Sequence, residues 1–504
     1  MLLAFALFTV GANCDAANAC DFKVVTAEAY ADAISGTAGG NGDWGEPLLV
    51  TGAISAGPAW SAPFAELAKL RRGDYDDTTV STGSGAAAAA LFSGALSGRT
   101  SLRTFRRRLA GTWQAGTAAA ATVFDTQNAA HGRNAPMAIP GVPARGGGGA
   151  EKGETWYNVL SVGGRGSGLP LHEHGAAWLA LGAGDDCRKR WALYAPGHDG
   201  TALFRGLPAV QNASDWFART AAGGGGGGGG GLHCVQPPGS VLLLPEGWAH
   251  ATLNEGGECW AVGRQRPRQL REWARIAKRG LNGANPPASP PHALLQLGLA
   301  LREAAAQPSA AAHPGEAAKL VQQAFGMLVV ASGLQRQRRT VVAVAPPPPP
   351  PAIRLKALFA LLGKPEAPHW AGSPAMGVAK DAAAAAAALL QAELRDGAPA
   401  AAVAEALVVL GAWWSRVGGD AVAAAAVFEA AWSASPRGAA PLAALHAAVV
   451  LSQRNCTEAA APLREVDRLR RTSLWLPSDE QAALLAGAQE RCGGMRKISH
   501  ISVE

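Results

Sequence analysis

The pattern of apolar and polar positions divides the chain into a strand-rich part and a helix-rich part. Between Trp156 and Gln265, short apolar runs of strand length alternate with turn residues, which is typical of a β-barrel or sandwich. After Gln265 the apolar residues recur at the spacing of amphipathic helices, and from Arg354 onward almost every segment does so. We therefore expect an α+β protein in which an all-α region follows the strands.

The segment that precedes the strand-rich part mixes both patterns. Residues 46–53 (EPLLVTGA) and 121–126 (ATVFDT) predict strands, and residues 63–70 (PFAELAKL) predict a helix with a proline near its start. Ser101 is a suitable N-cap for a helix that begins at Leu102. Further along, the pattern predicts strands at 155–163, 190–194, 232–244 and 259–263, a helix around 215–217, and helices at 269–281 and 292–307.

Two low-complexity runs punctuate the chain. Nine consecutive glycines, Gly223 to Gly231, predict a flexible insertion in a surface loop, and no P-loop lysine follows them. Six prolines, Pro346 to Pro351, predict a stiff spacer. The resulting division is a strand-rich domain at 20–265, a linker with helices at 266–353, and a helical region at 354–495.

The N-terminus predicts a secretory signal peptide over residues 1–19. An apolar run from Leu2 to Val10 is too short to cross a bilayer, and Ala17-Asn18-Ala19 supplies the small residues of a cleavage site before Cys20. Cleavage there would leave six of the seven cysteines. No later apolar run is long and uncharged enough to cross a membrane, so no membrane span is expected.

Two glycosylation sequons agree with this route. They begin at Asn212 and Asn455. The C-terminal residues HISVE are not a retention signal, so both the endoplasmic reticulum lumen and full secretion stay open.

The net charge of +7 carries little information about partners. The densest basic cluster, Arg103 with Arg106, Arg107 and Arg108, falls in a predicted helix, where we interpret it as a solvated face. We expect no nucleic-acid partner.

Two short segments carry the candidate chemistry. The first is GSGLPLHEH (166–174) and the second is GSVLLLPEGWAHATLN (239–254). Alternation along a strand places His172 and His174 on one face and Glu173 on the other. With His250 from a distant strand, three imidazoles could bind one metal ion inside a barrel, and imidazole suits iron, zinc, copper or nickel.

These segments resemble the two motifs of the cupin superfamily. Together with RKRWALYAPG (188–197) they are most similar to the JmjC branch, and over residues 20–265 to the small JmjC proteins of the endoplasmic reticulum lumen. The resemblance implies a double-stranded β-helix (jelly-roll) barrel with flanking helices, and an Fe(II)- and 2-oxoglutarate-dependent protein hydroxylase. It also implies that Lys189 pairs with the distal carboxylate of 2-oxoglutarate, with Asn254 and Asn158 as further cofactor-site candidates.

The chain departs from that family at two places. His174 occupies the usual carboxylate ligand position, and Trp178 and Leu179 stand where the first cupin motif has its downstream glutamate. A three-histidine site lacks an anionic ligand, which weakens the 2-oxoglutarate inference. Two alternatives therefore stay open: an inactive JmjC-like adaptor, and a metal-cupin that acts without 2-oxoglutarate. No catalytic residue beyond the metal ligands is assigned.

Two further expectations come from resemblance. Cys20 and Cys234 lie where the lumenal relatives place cysteines, which makes them a candidate disulfide, although six cysteines allow 15 pairings. The segment GGDAVAAAAVFEAAWSASP (418–436) resembles the second helix of a tetratricopeptide repeat, so the helical region is expected to bind a protein partner or substrate. The alternative is an ordinary helical bundle. The matching positions are Gly419, Ala424, Phe428, Ala431 and Pro436.

Overall fold

The structure is a computed structural model, and it confirms a mixed α+β protein with two sheets rich in antiparallel pairs and a helical C-terminal region. It describes residues 20–35, 45–77, 79–83, 99–107, 122–125, 137–142, 156–182, 187–196, 213–222, 231–266, 268, 270, 274, 290–305, 314–332, 334, 351–362, 375–398, 400–435, 441–471, 477 and 479–493.

Several predicted features lie outside these residues. They are the signal peptide, Asn212, most of the glycine run, five of the six prolines and most of the helix predicted at 269–281.

The strands are short, as the spacing of turn residues predicts. They are β1 (Val24–Thr26), β2 (Leu48–Thr51), β3 (Thr79–Gly83), β4 (Arg99–Ser101), β5 (Thr122–Asp125), β6 (Tyr157–Gly163), β7 (Gly168–His172), β8 (Ala177–Leu181), β9 (Lys189–Tyr194), β10 (Leu232–Gln236), β11 (Val241–Leu244), β12 (Ala249–Asn254) and β13 (Cys259–Gln265).

The helices are α1 (Ala27–Ser35), α2 (Pro58–Arg72), α3 (Ala213–Ala222), α4 (Pro290–Ala305), α5 (Pro314–Ser332), α6 (Pro351–Leu362), α7 (Ala375–Arg395), α8 (Ala400–Trp413), α9 (Ala421–Ala434), α10 (Pro441–Arg454), α11 (Cys456–Arg471) and α12 (Asp479–Arg491). The helix predicted at 63–70 is present but begins earlier than expected, because α2 starts at Pro58 and Pro63 lies inside it. None of the helices in the described part of the chain is both long and apolar enough to cross a lipid bilayer.

The chain passes repeatedly between the two sheets. The larger has the strand order β1-β2-β11-β8-β13-β6-β5-β3-β4 and the smaller has the order β10-β9-β12-β7. From β6 onward, successive strands lie in the larger, smaller, larger, smaller, smaller, larger, smaller and larger sheet. Only β1 and β2 pair in parallel among these described strands.

The continuous strand predicted over 232–244 is wrong. Pro237 interrupts it because proline cannot donate to a ladder, and Gly239 turns the chain with a φ of 75°. The two halves, β10 and β11, consequently join different sheets. The buried Gln236 amide connects the sheets, because its Nε2 donates to the Leu179 carbonyl (3.0 Å) and its Oε1 accepts from Trp191 Nε1 (3.0 Å).

Side chains on opposite faces of the two sheets are buried in three different hydrophobic cores. Leu160 and Trp178 of the larger sheet pack with α2, whereas Leu242 of the larger sheet and Trp191 of the smaller sheet lie between the sheets. The outer face of the smaller sheet packs on α3 and shares one hydrophobic cluster with helices of the C-terminal part.

This last contact changes the predicted division of the chain. Leu171, Ala192 and Ala251 from the smaller sheet belong to one buried cluster with α6, α7 and α8. Helices α4 and α5, which lie in the predicted linker, enter the same cluster through Leu295 and Leu328. The segment at 266–353 is therefore, where described, part of a folded core.

All six cysteines of the described residues are joined in pairs. Cys20 is bonded to Cys234, which is the candidate pair from the sequence. The other bonds join Cys187 to Cys259 and Cys456 to Cys492. The sequon residue Asn455 is exposed and caps α11, accepting the Thr457 amide (2.9 Å).

The basic cluster is a partly exposed, ion-paired face within the described residues. Arg103 pairs with Asp77 (3.0 Å) and Arg106 pairs with Asp76 (2.9 Å). This agrees with a solvated face. Arg108 lies outside the described residues.

The helical region contains successive helix pairs. Helix α8 packs on α9, and α10 packs on α11. Among the repeat-like positions, Ala424, Phe428 and Ala431 are buried, and Gly419 takes a left-handed φ of 63°. Gly411 of α8 lies directly against the Phe428 ring, so the contact between the two helices needs a residue without a side chain there.

Gly411→Ala tests this packing. A Cβ at residue 411 would lie 2.5 Å from Phe428 Cε1, so we expect destabilisation of about 1–2 kcal/mol despite the better helix propensity of alanine. Gly377→Ala in α7 is the matched control, because its Cβ would meet nothing within 4 Å; it should stabilise by up to about 1 kcal/mol. Denaturant unfolding measures both. Equal effects from the two variants would contradict the packing.

Candidate metal centre

The two histidine segments meet because β7 and β12 are antiparallel neighbours. His172 is the last residue of β7 and lies directly opposite His250 in β12. The ladder shifts register between His250 and Thr252. His174 lies two residues beyond the end of β7, so strand alternation by itself does not place it.

The three imidazoles form one group. The ring centroids of His172 and His250 are 4.1 Å apart, those of His174 and His250 are 4.5 Å apart, and those of His172 and His174 are 5.5 Å apart. One ring nitrogen from each lies within 4.8 Å of the others. The His250 side chain is buried and the other two are half-buried, so the group faces a partly enclosed space.

Backbone carbonyls fix the orientation of all three rings. Nδ1 of His172 donates to the Pro170 carbonyl (2.9 Å), and Nδ1 of His250 donates to the Trp248 carbonyl (2.9 Å). Nδ1 of His174 donates to the Gly175 carbonyl (2.6 Å). These contacts assign the proton to Nδ1 and leave the Nε2 lone pairs available, as in most metal-binding histidines.

The surroundings keep these rings neutral. Burial lowers the pKa of His172 and of His174 well below the usual value, and the neighbouring imidazoles lower both further. Burial lowers the pKa of His250 to about 4. The hydrogen bond to the Trp248 carbonyl raises this pKa, but by less than burial lowers it. Because a metal binds only the neutral imidazole, no proton has to leave before an ion binds near pH 7.

This donor set fits a divalent transition metal. Three neutral nitrogens suit iron, zinc, copper or nickel, and three protein ligands leave positions for water or substrate. Because no carboxylate belongs to the group, a bound divalent ion would keep its full double charge. The site therefore favours anionic ligands.

The expected orientation of Glu173 agrees with the structure. Its side chain is not among the ligands, and its backbone carbonyl accepts from Arg268 Nη2 (2.6 Å). The carboxylate interacts electrostatically with Lys356 of α6. Glu173 therefore does not replace the missing carboxylate ligand.

Lys189 lines the same cavity as the three histidines. Its side chain is 3% exposed, and its Nζ lies 3.5 Å from Ser161 Oγ. Within the described part of the chain no carboxylate pairs with it, and burial lowers its pKa to about 8. A buried ammonium group without an anion is costly, so a carboxylate or another anion bound beside Lys189 would offset that cost.

The remaining wall of the cavity is mostly apolar and comes from both sheets. Ser161, Thr252 and Gln265 add polar groups. Leu179 belongs to the apolar part of this wall; it is one of the two residues at the place where the first cupin motif would have its glutamate. The apolar side chains include Val159, Leu169, Leu179, Trp191, Leu242 and Leu244.

The structure does not place the other two cofactor candidates in the cavity. Asn254 is buried, and its Nδ2 donates to Ser167 Oγ (2.8 Å) and the Gly163 carbonyl (3.4 Å), which gives it a structural role. Asn158 precedes Val159 in β6, and only Val159 and Ser161 of that strand line the cavity. Alternation directs Asn158 to the other face.

Several residues at the site were not identified from the sequence. Ser161 and Gln265 face the cavity, and Lys356 and Arg268 contact the backbone beside His172. Strand parity could have identified Ser161 and Gln265. No sequence signal marks Lys356, because its contact joins residues 185 positions apart.

No family model matches the chain, and no curated protein gives a significant match. The interpretation of the site therefore depends on the geometry of the residues themselves.

Alanine at His172, His174 or His250 should each weaken Co(II) or Zn(II) binding by about 100-fold or more, because each removes one of three ligands. His233→Ala is the matched control, since that side chain is exposed on β10 and lies outside the group. Isothermal titration with metal-free protein gives affinity and stoichiometry. We expect one ion per chain, and binding that survives His250→Ala would contradict the assignment.

Proposed function

We propose that the chain is a metal-dependent oxygenase of the JmjC type that hydroxylates a protein substrate, with 2-oxoglutarate as co-substrate. The strand order supports a double-stranded β-helix for residues 157–265. Four of its eight strands give the order β11-β8-β13-β6 in one sheet and the other four give β10-β9-β12-β7 in the second. This interleaving is the arrangement expected of a jelly roll of the cupin kind.

One observation carries the proposal: Lys189, which pairs with no carboxylate of the described residues, shares a cavity with three oriented Nε2 lone pairs. A divalent ion and a buried ammonium group are two positive centres in one partly apolar space. A ligand with two separate anionic groups neutralises both, because each group compensates one desolvated charge. A small dicarboxylate such as 2-oxoglutarate has that chemistry.

Each group then has a definite task. His172, His174 and His250 hold the metal through Nε2, and Lys189 binds the far carboxylate of the co-substrate with Ser161 beside it. The apolar side chains exclude water and strengthen these charge interactions. Iron, when bound, supplies the activation of O₂ that hydroxylation needs.

A metal-cupin that acts without 2-oxoglutarate is the second candidate. The observation that favours it is the ligand set, because Glu173 stays outside the group and the metal retains its full charge. Such a site would bind an anionic substrate directly. In that case Lys189 would matter less than the histidines.

The disulfides support the secretory route as part of the proposal. Three bonds join all six cysteines of the described residues, and disulfides persist in oxidising compartments. The helix pairs α8–α9 and α10–α11 offer surfaces for recruiting the protein substrate. In an inactive adaptor the same surfaces would be the functional part, and the histidines would be dispensable.

Lys189→Met is the first test of the co-substrate. We expect it to abolish 2-oxoglutarate-dependent formation of succinate and to weaken 2-oxoglutarate binding to the metal-loaded protein by about 100-fold, because a buried charge partner is lost. Arg188→Met is the matched control, since that neighbouring cation is exposed and should leave both values unchanged. Calorimetry and succinate assays with a broad peptide set measure these effects.

The outcomes separate the candidates. If Lys189→Met is silent but His250→Ala removes activity on a small molecule, the second candidate is correct. The adaptor is favoured if two results hold together. The native protein does not bind 2-oxoglutarate, and the His172→Ala/His250→Ala variant still binds its partner.

The affinity for 2-oxoglutarate should also depend on pH. Below about pH 8 the ligand-free Lys189 is charged; above it, binding of the carboxylate has to restore a proton, so affinity falls as pH rises. We expect binding at pH 9 to be about tenfold weaker than at pH 7, as for one group with a pKa near 8. Titration at both pH values checks this. A Lys189→Met protein with an equal pH slope would contradict the role of Lys189.

A further inference from the structure

Two cations from outside β7 bind the backbone on either side of His172. Lys356 Nζ, from α6, donates to the carbonyl of Leu171 (3.2 Å). Arg268 Nη2, from the chain just after β13, donates to the carbonyl of Glu173 (2.6 Å). The ligand residue is thus flanked by two charge-assisted hydrogen bonds, which are stronger than bonds between neutral groups.

These contacts are needed because the strand ladder ends at His172. Beyond it, residues 173–176 carry His174 without the support of β-pairing. The segment is instead held by three contacts: Arg268 on Glu173, the Gly247 amide on the His174 carbonyl (3.4 Å), and the Arg266 amide on the Ala176 carbonyl (2.7 Å). Arg266 also forms a buried ion pair with Glu246 (3.1 Å) in the turn that precedes His250.

The Glu173 carboxylate interacts with one of the two cations, Lys356. Burial lowers the pKa of Lys356 to about 8, the Glu173 carboxylate opposes this shift, and Arg268 adds to it. The carboxylate that is excluded from the ligand set therefore partly compensates Lys356, one of the two cations that hold the ligand backbone.

We propose that Lys356 and Arg268 are positioning residues of the metal centre, so that helix α6 of the C-terminal region forms part of the site. This inference rests on the proposed function, because it assigns the two residues to the geometry of the same three histidines. It gives the helical region a role in metal binding in addition to recruitment of a protein.

The sign of the effect distinguishes positioning from simple electrostatics. Removing a positive charge near a divalent ion should strengthen metal binding if charge repulsion dominates. If the residues hold the ligands in place, Lys356→Met and Arg268→Met should each weaken Co(II) binding to the full chain by about tenfold, in the range for groups that orient metal ligands. Arg268→Lys keeps one donor and should recover part of the loss.

Arg264→Met is the matched control. Its guanidinium makes the same kind of bond, from Nη2 to the Trp156 carbonyl (3.1 Å), but away from the ligand segment. Co(II) affinity by calorimetry and the thermal midpoint are measured for each variant. Affinity that falls in Lys356→Met and Arg268→Met, with thermal shifts no larger than that of Arg264→Met, supports positioning. Unchanged or tighter Co(II) binding overturns it.

Hydrogen exchange separates this inference from the proposed function. If the native protein binds no metal, the proposed function fails, but exchange of the amides in peptides covering 168–176 still tests the anchoring. Faster exchange there in Lys356→Met and Arg268→Met, and not in Arg264→Met, supports it. Exchange unchanged in both variants overturns it.

Discussion

The candidate site depends on the register between β7 and β12. This pairing places His172 opposite His250, and a slip of one residue would direct one ring to the other face of the sheet. The register is fixed from both faces, because Leu171 and Ala251 pack on the helices while Thr252 lines the cavity. The Thr252 hydroxyl also accepts a hydrogen bond from the Leu169 amide (3.0 Å), which joins the two strands at the place where their register shifts.

The second constraint is the sign of the buried charge. Among the described residues, the cavity is lined by three neutral imidazoles and a buried Lys189, with no carboxylate in the lining or in the ligand set. Desolvation makes such an arrangement unfavourable unless an anion binds there. Lys356, outside the cavity, differs in this respect because Glu173 partly compensates it. The chain thus keeps its available carboxylate outside the cavity and leaves the inside to a ligand.

The helical region and the smaller sheet share one hydrophobic cluster. Ala249 and Ala251 of β12 belong to it on the face opposite His250, and helix α3 packs on this strand. Because packed interiors transmit small displacements, a change in these helices can reach the ligand strand. The cluster explains why the linker predicted at 266–353 contains packed helices.

The sequence by itself determined the fold class, most strand positions, the three imidazoles and Lys189, because each follows from local alternation or from short motifs. It did not determine that the chain passes from one sheet to the other at Pro237–Gly239. It also did not determine that Asn254 and Asn158 lie outside the cavity, or which backbone groups Lys356 and Arg268 contact. Those depend on which strands become neighbours and on which helix covers them. Pairings between residues up to 185 positions apart arise from burial of apolar faces in three dimensions, and local patterns do not specify the partner.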